Sequence, residues 1–163
     1  MNKLALGTVQ FGLDYGITNS KGQVQIEEVK SILEYARENN INTLDTAASY
    51  GNSEEVLGSA SIDDFQVITK TISLRSGVDE VIKRFQQSLT YLNKLSVNGL
   101  LIHNINEIEH KSFDTLFNQL NELKNKGLIK KIGFSAYTPE QVDFLLKNFD
   151  FDLIQVPFNV FDN

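Results

Sequence analysis

Cysteine is absent from this 163-residue chain, which excludes disulfides and thiolate metal sites, and no Asn-x-Ser/Thr acceptor for N-linked sugar occurs. Both absences fit a reducing cytoplasm. Only two prolines are present, and no Pro- or Ser-rich linker divides the chain, so a single domain over residues 1–163 is expected. Long apolar runs are missing as well. The opening Met1 to Leu6 is cut by Gly7, Thr8 and Gln10, too short for a signal peptide, and no run could span a bilayer. Basic residues are outnumbered 15 to 21, for a net charge of −6, and form no stripe or block. Neither nucleic acid nor an anionic membrane is an expected partner. Also missing are a Gly-x-Gly-x-x-Gly turn after the first strand, where Gly7-Thr8-Val9-Gln10-Phe11-Gly12 stands instead, and a Walker-type Gly-Lys-Ser/Thr.

What is present reads as an ordinary globular domain, with 41% hydrophobic and 22% charged residues. Short β-rich runs alternate with helical patterns, the signature of a parallel α/β sheet. Strands are predicted at Lys3 to Gly7, Thr43 to Thr46, Gln66 to Lys70, Gly99 to His103, Ile132 to Ser135 and Leu153 to Val156. Helices are predicted at Ile26 to Asn39, Ser53 to Gly58, Val78 to Asn93, Phe113 to Lys126 and Pro139 to Lys147. Their apolar residues recur at three- and four-residue spacing, as in Val81, Ile82, Phe85, Leu89 and Leu92, so each helix would lay one stripe on a sheet. Gly127 is a good helix stop and Pro139 after Thr138 a good start. Asn52 to Glu55 would open a helix, its acids suiting the dipole.

Two architectures suit such a pattern: a doubly wound open sheet and a (β/α)₈ TIM-type barrel. The missing glycine-rich turn speaks against the first. In a barrel, the C-terminal ends of the strands converge on one mouth, so polar residues that recur there become neighbours. Thr8, Asp45, Lys70, His103, Ser135 and Gln155 all stand at or just beyond such ends. The stretch Asp45 to Glu54 places a carboxylate and the phenol of Tyr50 five residues apart at a strand-to-helix junction, and it reads as a catalytic loop.

These residues resemble the aldo-keto reductases. The Gly7-Thr8 pair, Asp45-Thr46-Ala47 with Tyr50-Gly51-Asn52-Ser53-Glu54 and Gly58, Thr69-Lys70, Leu101-Ile102-His103, Ile132-Gly133-Phe134-Ser135, and Ile154-Gln155-Val156 with Asn159 match that family's motifs in order and spacing. The resemblance implies a catalytic tetrad of Asp45, Tyr50, Lys70 and His103, and NADPH-dependent reduction of an aldehyde or ketone, sugar-like carbonyls included. It also implies that Ser135 and Gln155 hold the nicotinamide carboxamide, with Thr8 lining the same mouth, and no metal is called for.

The chemistry has its own reasons for these residue types. Reducing a carbonyl leaves an alkoxide that must take a proton as it forms, so a positioned acid is required. Tyr50 fills that role if its pKa is pulled down from about 10 by the Lys70 ammonium, which Asp45 holds charged. His103 would donate to the carbonyl oxygen, orienting and polarising it.

Two departures from the family stand out. Ala136 follows Ser135 where many members have asparagine, and the chain ends just past the sixth strand, whereas a barrel takes about 250 residues. The expected fold is therefore an incomplete barrel with two open edges, either a truncated product or one completed by a second copy of the chain (a homo-oligomer) or by a complementing C-terminal part. Two other functions fit the same residues: a non-catalytic scaffold or regulatory binding protein, and a barrel lyase or aldolase with Lys70 as Schiff-base nucleophile, which borohydride would trap. The Gln10 to Lys21 loop, with Asp14, Tyr15 and Asn19, reads equally as a polar substrate site and as plain Gly- and Asn-rich loop chemistry. His110, in a polar stretch, is expected to be solvated.

Overall fold

The computed structural model describes residues 3–159, so the extreme ends of the expected 1–163 domain lie outside it. Six strands, β1 (Leu6–Gly7), β2 (Thr43–Asp45), β3 (Gln66–Lys70), β4 (Gly99–Ile102), β5 (Ile132–Ser135) and β6 (Leu153–Gln155), form one sheet. The strands lie in chain order, and every pair is parallel. A doubly wound sheet must reverse its strand order at some point; this one never does. It is the six-strand part of a (β/α)₈ barrel, with helices between the strands.

Six helices accompany the strands: α1 (Val9–Gly12), α2 (Ile26–Glu38), α3 (Ser53–Ser59), α4 (Val78–Tyr91), α5 (Phe113–Asn125) and α6 (Pro139–Asn148). The apolar stripes do what their spacing promises. Val29, Leu33 and Ala36 of α2, Val81 and Phe85 of α4, and Phe113, Leu116, Leu120 and Leu123 of α5 are buried in one core with Leu44, Val67, Leu100, Ile102, Ile132 and Phe134 from the strands. Under α5 the rings of Phe113, Phe117, Phe134 and Phe149 pack with centroids 5.5–6.3 Å apart. Helix α6 starts at a capping box between Thr138 and Gln141 with Pro139 in its first turn. After α5, Gly127 takes the left-handed conformation, at φ +79°, which lets the chain leave the helix.

The period of two along a strand decides which residues line the concave face. Register aligns Asp45 with Ile68, Ile68 with Gly99, Lys70 with Leu101, Leu101 with Gly133, Gly133 with Leu153, and Ser135 with Gln155. These residues share the face away from the helices. Its floor is apolar, and its C-terminal rim carries Asp45, Lys70, Ser135 and Gln155.

Three features were not expected. Among the described residues the first strand spans Leu6–Gly7, paired with β2, and the exposed residues 3–5 lie before it. Short 3-10 turns occupy Leu74–Ser76 and Ile105–Glu109, after β3 and β4. Helix α1 forms at the start of what reads in sequence as a loop, and it seats backbone against backbone on the Tyr50 loop. A Cβ on Gly12 would lie 1.9 Å from Tyr50 O and 2.4 Å from Ser53 N, and one on Gly51, at φ +57°, would lie 2.1 Å from Gly12 O. Only glycine permits that approach. Gly12→Ala should therefore cost about 2 kcal/mol as an overpacking defect, read as a lower urea midpoint. An unchanged midpoint would mean that α1 is not held against the loop.

The two sheet edges, β1 and β6, have no further strand beside them among the described residues. Leu4 next to one, and Val156 and Phe158 past the other, are exposed. Among the described residues no helix is long and apolar enough to cross a membrane.

Candidate active site

Lys70 is the centre of the rim. Its residue is 3% exposed, and its Nζ donates to Asp45 Oδ1 at 2.6 Å and to the Thr46 carbonyl at 2.9 Å. A nearly buried ammonium needs such partners, because desolvating an unpaired charge costs several kcal/mol. The second Asp45 oxygen accepts from Gln155 Nε2 at 3.2 Å. The Lys70 ammonium also lies 5.0 Å from the centroid of the Tyr50 ring, a cation–π contact. Tyr50 in turn meets His103 edge-on, with centroids 6.0 Å apart and planes at 81°. The expected tetrad is thus one contiguous cluster, although its members come from β2, the loop after β2, β3 and the end of β4.

A cleft of about 310 Å³ opens on this cluster, lined by Asp45, Tyr50, Lys70, His103, Ser135 and Gln155, and by Ala136, Tyr137, Val156 and Pro157. Ser135 Oγ is buried and has no hydrogen-bond partner among the described residues. An orphaned hydroxyl in a cleft has polar capacity left for a ligand. Beside it stands the Gln155 amide, already engaged on one side with Asp45. Hydroxyl and amide together suit a planar amide group, so the residues present fit the carboxamide of a nicotinamide. Thr8 has a different place. It is fully buried, its hydroxyl donating to the Asp45 carbonyl at 3.0 Å and accepting from Ser53 Oγ at 3.1 Å, and it is not among the residues lining the cleft. It supports the end of β2 from behind.

The electrostatics correct one expectation. The sequence reading required Lys70 to pull the Tyr50 phenol down, yet the phenol is raised above its ordinary value, by burial first, then by Asp45 and by Tyr15. The Lys70 charge is largely answered by Asp45 at 2.6 Å, and the ammonium meets the ring face. Tyr50 therefore keeps its proton at neutral pH. His103 is lowered, chiefly by burial and then by Lys70, with Asp45 and Glu107 opposing, so its imidazole is neutral there. The site offers two neutral donors above a neutralised ion pair.

Several supporting residues escaped sequence reading. Glu54, expected only to open a helix, is 2% exposed; it accepts from Thr69 Oγ1 at 2.7 Å and pairs with Arg84 Nη2 at 2.8 Å. Arg84 also donates to the Ala48 carbonyl at 3.0 Å, tying the catalytic loop to α4. Its place in sequence was a usable signal: at i+3 from Val81 and i−4 from Ser88 it lies on the buried side of α4, where a charge needs a partner. Ser49 Oγ lies 3.2 Å from His103 Nδ1, a contact that no spacing rule announces. His110 is half-buried, not simply solvated, and its Nδ1 accepts from Ser112 N at 3.2 Å just before α5. The Gln10 to Lys21 loop is braced by Asn19, whose side chain bonds Asp14, Tyr15 O, Gly22 O and the amides of Lys21 and Gly22.

Residues 3–163 match the model of the aldo/keto reductase family. The chain belongs to that family. Among curated relatives, it is 28% identical over 152 residues to the oxidoreductase sirO of Leptosphaeria maculans, covering 87% of this chain and 45% of that protein. It is 27% identical over 160 residues to D-arabinose 1-dehydrogenase of Saccharomyces cerevisiae, covering 89% and 45%. The chain thus spans less than half the length of both. Among solved structures, an aldo-keto reductase from Pseudomonas aeruginosa superposes with a TM-score of 0.78 at 26% identity, over 96% of this chain and 63% of that one. The fold is shared also with an aldo-keto reductase of Bombyx mori, at a TM-score of 0.71 and 24% identity, over 96% of this chain and 54% of that one. The lineage is that of NAD(P)H-dependent oxidoreductases.

Proposed function

We propose that the protein reduces an aldehyde or ketone, sugar-like carbonyls included, with NADPH, and that Tyr50 supplies the proton. The observation that carries this reading is the contact chain Asp45–Lys70–Tyr50–His103 around one cleft. A reduced nicotinamide, when bound, supplies the hydride for the carbonyl carbon. Ser135 and Gln155 would hold its carboxamide. The preference for the phosphorylated cofactor rests on family likeness, including the NADP complex of the Bombyx mori enzyme.

The chain's own part is acid catalysis and orientation. Tyr50 and His103 both face the cleft, and a carbonyl oxygen between them would accept from each. As negative charge grows on that oxygen, the Tyr50 O–H bond breaks and its proton forms the alcohol O–H bond. The phenolate left behind lies beside the Lys70 ammonium, whose field opposes the cost of forming it. Asp45 holds Lys70 in place through their 2.6 Å ion pair, and the phenolate regains its proton from water. A Schiff-base role for Lys70 fits less well, since an ammonium donating to a carboxylate and a carbonyl has no free lone pair.

The same proposal places the protein in the cytoplasm, in keeping with its lack of cysteine. The open edges at β1 and β6 would be covered by a second copy of the chain or by a complementing C-terminal part.

Titration of the purified chain with NADPH and with NADH, followed by nicotinamide fluorescence, tests the reading. Saturable binding, tighter for NADPH, is expected. Ser135→Ala should weaken it about fivefold, the worth of one neutral hydrogen bond of about 1 kcal/mol. Absence of binding to either nucleotide by a well-folded sample would overturn the reading in favour of a non-catalytic scaffold.

A further inference from the structure

A neutral imidazole can donate from only one of its two nitrogens, and a donor to a carbonyl in this cleft must carry its hydrogen on the nitrogen that faces the cleft. The backbone of His103 is fixed by its amide, which donates to Thr71 Oγ1 at 3.3 Å, but that bond leaves the choice of tautomer open. The ring has one described hydrogen-bond partner, Ser49 Oγ, 3.2 Å from Nδ1. Ser49 is exposed in the loop between Asp45 and Tyr50, and no other bond of its side chain is described.

We propose that Ser49 is a positioning residue: its hydroxyl donates to His103 Nδ1 and so holds the ring as the Nε2–H tautomer, the form able to donate into the cleft. The reverse arrangement, Nδ1–H donating to Ser49, would leave Nε2 a bare lone pair that repels a carbonyl oxygen. The two differ in which ring nitrogen carries the proton and in the rotation of one exposed hydroxyl. The Lys70 ammonium and the Asp45 and Glu107 carboxylates act on the ring through their charges, with the Tyr50 ring edge-on to it, and none of them is described as hydrogen-bonded to either ring nitrogen. The importance of the tautomer rests on the role proposed for His103 as donor to the carbonyl oxygen; its assignment to Ser49 does not.

The test uses the whole chain with ¹⁵N-labelled histidine. At pH 7.5, side-chain ¹⁵N spectra of the native protein should show Nδ1 as the bare nitrogen and Nε2 as the protonated one. In Ser49→Ala the two His103 resonances should move towards each other as the tautomers interconvert, while those of His110 stay in place. Ser49→Thr, which keeps the hydroxyl, should restore the native pattern. In turnover, Ser49→Ala should lose about fivefold in kcat, one neutral hydrogen bond at about 1 kcal/mol, with the threonine variant recovering it. A native Nδ1–H tautomer, or an unmoved pattern in Ser49→Ala, would overturn the assignment. Because the spectra need no cofactor or substrate, an intact ¹⁵N result with no turnover would count against the reductase reading and not against Ser49.

Discussion

Replacing Tyr50 with phenylalanine is expected to lower carbonyl reduction by about 10²–10⁴-fold, the range for loss of one positioned general acid, while leaving nucleotide binding intact. A thousandfold loss is about 4 kcal/mol of transition-state stabilisation. The ring and its contacts with Lys70 and His103 survive the change, so the effect reports the proton alone. The pH profile should agree. Burial, Asp45 and Tyr15 raise the phenol above its usual value of about 10, so Tyr50 remains an acid throughout the neutral range. Reduction should therefore fall only at alkaline pH, above about 10. Folding stability follows the same sign: the folded state holds this proton more tightly than the unfolded chain, and stability is lost as pH rises through the raised value. His103 acts oppositely, since its lowered value means that the unfolded chain binds the proton first and stability is lost as pH falls below about 6.5. A rate that is half-lost near pH 7 through an alkaline limb would show instead a phenol depressed by Lys70, and would sink this account.

Asp45→Asn is expected to destabilise the fold by about 3 kcal/mol, because it removes the counter-charge of an ammonium that is 3% exposed. The lower end of the range for broken buried pairs applies. Asp45 is one-fifth exposed, and the Thr46 carbonyl still accepts from Lys70. Urea denaturation should show a lower midpoint. Asp45→Asn combined with Lys70→Met should recover most of the lost stability, as burying a matched apolar side chain replaces the pair. Turnover should be abolished in both. A single variant as stable as the native protein would mean that the pair contributes nothing to the fold.

Much of the architecture was legible in sequence because its signals are local. The pattern Val29, Leu33, Ala36 and its counterparts in α4 and α5 dictated helices and the faces they bury. Thr138 with Pro139, and Gly127, marked ends through capping and backbone freedom. Polar residues that recur at strand ends, from Asp45 to Gln155, placed the site at the mouth of a barrel. Helix α1 escaped because its four residues hold by a contact between Gly12 and the backbone of Tyr50, 38 positions away in the chain, not by an apolar stripe.

The chain by itself therefore determined the element types, their parallel order and the identity of the residues gathered at the mouth, since hydrophobic period and turn chemistry act over a few neighbours. Only the tertiary structure decided what those residues do to one another. That Tyr50 is raised and not lowered, that Thr8 braces β2 from outside the cleft, that Glu54 is buried against Arg84, and that Ser49 reaches His103 all depend on distances between segments far apart in sequence. Burial and Coulomb energy vary with separation in space, and spacing along a chain carries no measure of it.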